Sequence, residues 1–543
     1  FARRGAIWMA VAAGDSVRAS QLFRMRGGGG SMRWSPSGGQ LAFVSNRGTH
    51  SFVGVFDIAS KSLRWMAPST DADNSPVWSP DGARLAFLRT PYETRQLFFR
   101  ARRRAQPWSI QVADVATGQA KEVFRASAGR GSAYWAIVAE NQLFWTAGDR
   151  IVFPWERTGW VHLYSVAASG GTPAELTPGN GEVEFVSLSA DRARLIYSTN
   201  IGDIDRRRVM SVAADGKSAP VAAVTGPHIA WDPVESSKGT LHALVSDERM
   251  PAHAAVLVQS NGQSSWKHLA PETMPADFPA SSLVIPKAIT LRAADGVQSY
   301  AQVFMPPNAV AGKKYPAVIF LHGGSRRQML LGWNYGAYYH HAYAMNQAMA
   351  LRGSVVVSLN YRSGIGYGME FREALKQGAT GGSEYADLVA AAAWLGANAN
   401  VDRARIGLWG GSYGGYLTAM GLTRNPELFK AGVDIHGVHD WNVGITTFLP
   451  DYDLYADPAA TRTAFLASPM AQVERWRAPV LLIHGDDDRN VRFIETQTLI
   501  QQLRKQNVPV EQLVFPDEVH GFLRHDSWMR AYEAALDFFA RRM

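Results

Sequence analysis

The sequence has no cysteine in 543 residues, which excludes disulfides, thiol nucleophiles and Cys-based metal sites. It has no apolar run long enough to span a bilayer and no signal segment, and it starts at Phe1. A soluble chain without membrane insertion is expected, and exported, periplasmic and cytoplasmic locations are all compatible with it. Charge is sparse: 19% of residues, with a formal net of +8. Spread this thinly and without a binding motif, the basic excess gives no footprint for nucleic acid. The densest basic run, Arg100-Ala101-Arg102-Arg103-Arg104, reads as a solvated loop. Lining a cavity instead, it would attract acidic peptides or a substrate carboxylate.

What the chain has is bulk and repetition. Its length calls for at least two domains, and 17 Trp suit broad strand faces. Met32-Arg-Trp-Ser-Pro-Ser-Gly-Gly-Gln-Leu-Ala-Phe-Val44 recurs as Pro76-Val-Trp-Ser-Pro-Asp-Gly-Ala-Arg-Leu-Ala-Phe-Leu88, with Trp34 and Trp78 44 residues apart. Looser copies begin near Trp135, Val186 and Trp231. Strand, Pro/Asp/Gly turn, apolar strand, at periods of about 40–50 residues, is the signature of β-propeller blades. About five repeats follow a partial unit at residues 6–24. Because that unit begins inside a blade, an incomplete propeller is expected, lacking a closing strand or whole blades at its N-terminus.

Residues 264–286 are rich in Pro, Ser and Ala and read as a connection. The predicted division is a propeller over 1–280 and a second domain over 281–543. After a hairpin at about 287–305, buried strands are predicted at Ala317–His322, Val355–Asn360, Arg405–Trp409, Ala431–Ile435, Val480–His484 and Val510–Phe515. Helical stretches such as Glu384–Asn398 lie between them, so a mostly parallel sheet with helices on both faces is expected.

Gly410-Gly411-Ser412-Tyr413-Gly414 matches G-x-S-x-G. Alone the match is weak in a chain with 50 glycines. Its place, after one predicted strand and before a helix over Leu417–Arg424, makes it a nucleophile elbow of the α/β-hydrolase type. Partners should follow in the order Ser, Asp, His. Val480-Leu-Leu-Ile-His-Gly-Asp-Asp-Asp-Arg-Asn-Val491 supplies Asp486, Asp487 and Asp488, and spacing does not choose among them. Phe515-Pro-Asp-Glu-Val-His-Gly-Phe522 supplies His520 at a strand end, where sites of open α/β sheets form. Competing imidazoles are His525, at a predicted helix start, and His436 and His439. The oxyanion would take the backbone N–H of Tyr413 and one from the loop His322-Gly323-Gly324, assigned to Gly324. His322 itself is either a supporting group or part of the turn.

Several segments resemble the prolyl oligopeptidase family: Gly410-Gly-Ser-Tyr-Gly-Gly-Tyr416, Asn360-Tyr-Arg-Ser-Gly-Ile-Gly-Tyr-Gly368, the His484-Gly loop and Glu518-Val-His-Gly-Phe522. The resemblance covers essentially the whole chain, since members carry a propeller before an α/β-hydrolase domain. It implies Asp488 as the catalytic acid, Asn490 and Val491 at the substrate, and Trp441 in the wall of the pocket before the scissile bond. Trp155-Glu-Arg-Thr-Gly-Trp-Val-His-Leu-Tyr164 is similar to the dipeptidyl peptidase IV branch, whose paired-glutamate motif has no counterpart because the chain contains no Glu-Glu pair. The His322-Gly-Gly324 loop is closer to the acylaminoacyl-peptidase branch, with Ser325 in place of its usual Pro.

The expected chemistry is hydrolysis of short peptides through an acyl-enzyme on Ser412, by an exopeptidase of dipeptidyl or acylaminoacyl type, with no metal or cofactor required. The family resemblance implies a propeller that filters substrates by size. A homo-oligomer is compatible with the sequence. Two rivals stay open: a carboxylesterase or amidase on the same fold, and a noncatalytic binding protein that uses its propeller for partners.

Overall fold

The computed structural model describes residues 1–13, 16–92 and 103–543. The N-terminal part is a series of antiparallel sheets. A three-stranded sheet comes first, then an eight-stranded sheet that holds two successive blades, then three four-stranded sheets. The repeated Trp-Ser-Pro segment explains this regularity locally. In three copies a serine at the strand end receives the returning strand: Ser35 N–H donates to Gln40, Ser79 to Arg84 and Ser189 to Arg194, each at 2.9 Å. The turn needs one residue at positive φ, filled by Gly38 (74°), Gly82 (73°) and Arg192 (57°).

The copy predicted at Trp135 is displaced. That blade starts with the two-residue strand Phe144–Trp145 instead. The stretch before it is held by the Gln142 side chain, which accepts from Ile137 N–H (3.0 Å) and donates to Ala139 C=O (2.7 Å). This local bonding substitutes for a ladder. Trp135 is left to face the second domain, with the Arg372 guanidinium 3.8 Å from its ring. The connection is also shorter than predicted, because the strand Gln263–His268 completes the last blade.

Residues 287–515 carry an eight-stranded sheet in which only Gln298–Phe304 runs against its neighbours. Its central strands, such as Tyr315–Leu321 and Val355–Asn360, are almost wholly buried, as expected where helices cover both faces. The two sides form separate apolar clusters, one around Ile319 and Leu388 and one around Trp409 and Phe538.

The domains meet along a polar seam. Buried Arg207 pairs with Glu184 (2.7 and 2.8 Å) and donates to Gln328 (2.7 Å). Arg372 donates to Glu156 at 2.7 Å, and Glu182 accepts from the N–H groups of Gly366 (3.3 Å) and Gly368 (3.2 Å). Leu331 N–H and Trp333 N–H donate to the propeller carbonyls of Asp205 (2.9 Å) and Asp247 (3.0 Å). Of the basic run, Arg100, Ala101 and Arg102 lie outside the described residues. Arg103 is no solvated loop residue: it pairs with Glu156 within the propeller and with Glu373 across the seam.

Candidate active site

The strand Val401–Gly411 feeds directly into the helix Tyr413–Arg424, with Ser412 between them. The helix starts four residues earlier than predicted, because the tight turn leaves no loop. Ser412 sits at φ 59°, ψ −118°, the strained backbone of an elbow that lifts its hydroxyl clear of the sheet. Glycine is obligatory on both sides for a steric reason. A Cβ on Gly410 or Gly414 would overlap the Leu321 carbonyl of the neighbouring strand. Tyr413 is the first helical residue, so its N–H has no intrahelical acceptor. Gly324, at φ 64°, lies in the loop after Tyr315–Leu321 and lines the same cavity as Ser412.

The three candidate aspartates have three different fates. Asp486 accepts the Asp517 N–H at 2.7 Å, and Asp487 pairs with exposed Arg489. Asp488 alone meets His520, with Oδ2 2.6 Å from Nδ1. Its Oδ1 accepts the N–H groups of Asn490 (2.8 Å) and Val491 (2.9 Å), and Oδ2 also faces His484 Nε2 at 3.2 Å. Burial by itself would raise the carboxyl. The hydrogen bonds from His484 and His520 outweigh it and hold Asp488 far below the usual carboxylate range. Because Nδ1 of His520 faces a carboxylate, it carries the proton, and Nε2 is left as the basic nitrogen. Ser412 Oγ and His520 make no hydrogen bond here; such bonds often tighten only once substrate is in place.

A second imidazole, His436, completes the arrangement. Its Nδ1 accepts the Ser412 N–H at 3.1 Å, and its ring lies 4.1 Å from that of His520. Burial, reinforced by the neighbouring His520 and His484, pushes His436 well below the ordinary imidazole range, so it stays neutral. His436 follows the wrong strand to serve as the base, and sequence order gives no hint of this supporting contact. His439 bonds Asp434 at 2.7 Å, away from the nucleophile, and His525 begins the C-terminal helix. His436, Asp488 and His520 place ligand-capable atoms within 4.8 Å of one another. Both Asp488 oxygens are already engaged, which fits an imidazole-orienting carboxylate better than a metal ligand.

The cavity beside Ser412 holds about 400 Å³. Tyr413, Val438, Trp441 and Val491 give it an apolar wall, and Asn490 and Arg326 add polar groups. Trp441 packs on Tyr413 and Tyr416 with ring centroids 5.6 and 5.1 Å away. Behind this wall, Tyr413 OH donates to buried Glu384 (2.6 Å), which also accepts from Ser363 Oγ (2.9 Å). The Asn360–Gly368 segment thus supports the pocket without lining it. Three propeller glutamates, Glu156, Glu182 and Glu184, do converge on the seam, but each is spent there on an arginine or on backbone N–H groups. None of them lines the cavity.

His322 is a supporting group. Its buried ring stacks 4.1 Å from Tyr361 and its Nδ1 donates to Gly323 C=O at 3.1 Å. Burial pushes its pKa down to about 3. An unfolded imidazole takes a proton near pH 6.5, whereas the folded one resists, so stability falls as pH drops through that range. At pH 5 the loss from this group is on the order of 2 kcal/mol. His322→Phe keeps the stack and removes the loss, so its denaturant midpoint should fall less than the wild type's between pH 7 and pH 5. Equal falls in both would rule this ring out as the source.

A strained Ser elbow on a mostly parallel sheet, faced by a β-propeller, defines the class: an α/β-hydrolase with a propeller domain. Residues 339–543 match the prolyl oligopeptidase family, and residues 90–246 match the dipeptidyl peptidase IV N-terminal region. Dipeptidyl aminopeptidase BIII of Pseudoxanthomonas mexicana is 32% identical over 41% of this chain and 32% of its own length. Dipeptidyl peptidase 8 of Mus musculus is 25% identical over 67% of this chain and 44% of its own. The chain therefore spans less than half the length of these curated relatives. A Mycobacterium tuberculosis puromycin-hydrolyzing peptidase shares the fold at TM-score 0.77 and 21% identity, over 98% of this chain and 85% of that one. Pyrococcus horikoshii acylaminoacyl peptidase does so at TM-score 0.59 and 18% identity, over 97% and 90%. No helix among the described residues is long and apolar enough to cross a membrane.

Proposed function

We propose that the chain is a serine peptidase that hydrolyses short peptides, with Ser412 as nucleophile, His520 as general base and acid, and Asp488 as the group that orients the imidazole. The observation that carries this reading is the 2.6 Å contact between His520 and a buried, ionised Asp488, one imidazole away from a strained Ser412. In the first step Ser412 Oγ bonds to the peptide carbonyl carbon while His520 Nε2 takes its proton. The N–H groups of Tyr413 and Gly324 receive the negative oxygen. Collapse breaks the C–N bond, and His520 returns the proton to the leaving amine. Water, deprotonated by the same imidazole, then releases the acyl group and regenerates Ser412.

Residues 1–280 serve as the gate and 281–543 as the catalytic domain, with Trp441, Asn490 and Val491 at the bound peptide. The names of the relatives and structural neighbours support an exopeptidase of dipeptidyl or acylaminoacyl type. A panel of short peptides with free and blocked ends, read by mass spectrometry, distinguishes them. Two-residue products from free N-termini give the dipeptidyl reading; release of a blocked first residue gives the acylaminoacyl one. A fluorophosphonate should label native protein at Ser412, and failure to label would remove the catalytic reading altogether.

A further inference from the structure

Among the described residues the fully buried arginines follow one rule. Arg207 is paired with Glu184, Arg362 with Asp387 and Asp295, and Arg372 with Glu156. Burying a guanidinium without a carboxylate is costly, so the rule is expected. Arg326 breaks it. It lies two residues beyond Gly324, mostly covered, on the wall of the Ser412 cavity. Its Nη1 donates to three neutral acceptors: Ser363 C=O and Arg372 C=O, both at 2.6 Å, and Gln377 Oε1 at 2.9 Å. Among the described residues no carboxylate lies within ion-pair distance of it. The nearest acids are committed elsewhere, Glu384 to Tyr413, Ser363 and Gly378, and Glu373 to Arg103, Arg130 and Arg372.

The other edge of the guanidinium is unused. Nε and Nη2 make no hydrogen bond among the described residues, and neither is sealed from solvent. Nη1 is clamped by three acceptors, so this edge is held in place before any ligand arrives. Of the described residues around the cavity Arg326 is the one that carries charge; no Asp or Glu is among them. Burial and the neighbouring Arg372 disfavour the cation, and the more distant Glu373 and Glu384, which form no ion pair with it, offset this only in part.

We propose that Arg326 forms a carboxylate-binding subsite, so that this site prefers peptides with an anionic group within two residues of the scissile bond. The proposal rests on the peptidase reading above. A planar fork with two parallel donors matches the two oxygens of a carboxylate, and the ligand supplies the counter-charge that the fold withholds. The anion is either an acidic side chain or the peptide's terminal carboxylate, and both present the same oxygen pair.

The test is a matched set of short peptides differing only in Glu against Gln at each position flanking the cleaved bond, with C-terminal acids against amides. For wild-type protein at least one acidic member should exceed its neutral partner about 10–100-fold in kcat/KM, carried mainly by KM. The position at which it does so identifies side chain or terminus as the source. Arg326→Gln should bring that ratio to near one, whatever its effect on the turnover of neutral peptides. Arg326→Lys, which keeps the charge but not the fork, should retain only part of it. Absence of any acid preference in wild type overturns the proposal. So does an Arg326→Gln variant that slows acidic and neutral members equally, which would mark a contact to a substrate carbonyl. If no peptide is cleaved, the peptidase reading fails, and the subsite is read separately. N-acetylglutamate, but not N-acetylglutamine, should then slow fluorophosphonate labelling of wild type and not of Arg326→Gln; equal effects of the two would overturn the subsite.

Discussion

Ser412→Ala is expected to lower kcat by about 10⁴–10⁶-fold for every peptide that the wild-type chain cleaves. On the proposed mechanism the loss is this large because the hydroxyl forms the covalent bond. His436, beside the elbow, accepts the Ser412 N–H through Nδ1. The elbow packs backbone to backbone around Gly410 and Gly414 and gets no cap hydrogen bond from the serine side chain, so the variant should keep the wild-type circular dichroism spectrum and denaturant midpoint. Asp488→Asn should cost about 10⁴-fold, because an amide that donates to Nδ1 leaves the proton on the wrong nitrogen. Single-turnover rates on purified variants check both. Residual turnover within tenfold of wild type for Ser412→Ala would place the nucleophile elsewhere.

Arg207→Ala should destabilise the protein by about 3–5 kcal/mol. Arg207 and Glu184 are both almost fully buried on the seam, joined by two hydrogen bonds. Burial opposes the Arg207 charge, and Glu184 more than restores it, holding the guanidinium above its ordinary range. Removing the arginine strands an ionised Glu184 with only Tyr335 OH as a donor among the described residues, at 2.9 Å. The double substitution Arg207→Met with Glu184→Leu leaves no orphan charge and should recover most of the loss. Guanidinium unfolding of the three proteins compares them directly. If the double variant is as unstable as Arg207→Ala, the packing of the arginine stem matters more than its charge.

The parts of this structure that follow local rules could be read from the sequence. The Trp-Ser-Pro turns, the buried strands Val355–Asn360 and Ala431–Ile435, and the strand–Ser–helix turn are all set by residues within a few positions of one another. Choosing Asp488 over Asp486 and Asp487 was not legible from spacing, because adjacent residues in a loop point in different directions; the family resemblance supplied it. His436 was hidden for a different reason. Its contact with Ser412 crosses from one parallel strand to the next, and a lone His after a strand looks like any turn residue. Arg326 was invisible in principle, since its distinguishing property is a missing partner, which only the tertiary neighbours define. Trp135 was legible as a bulky residue and misplaced as a strand residue, because the Gln142 side chain took over the local bonding.

The seam between the domains bears on how a peptide reaches Ser412. Gln328 is tied to Arg207 and to the Ile204 carbonyl, and Leu331 and Trp333 are bonded to Asp205 and Asp247, all within about ten residues of Gly324. A swing of the propeller away from this edge would break these bonds or drag along the stretch that follows Gly324. The two-domain outline suggests a jaw, but the jaw is laced to the very loop it would have to leave behind. On the proposed reading, an admission path that keeps Gly324 beside Ser412 avoids this edge, where any opening has to break these bonds or move the stretch that follows Gly324.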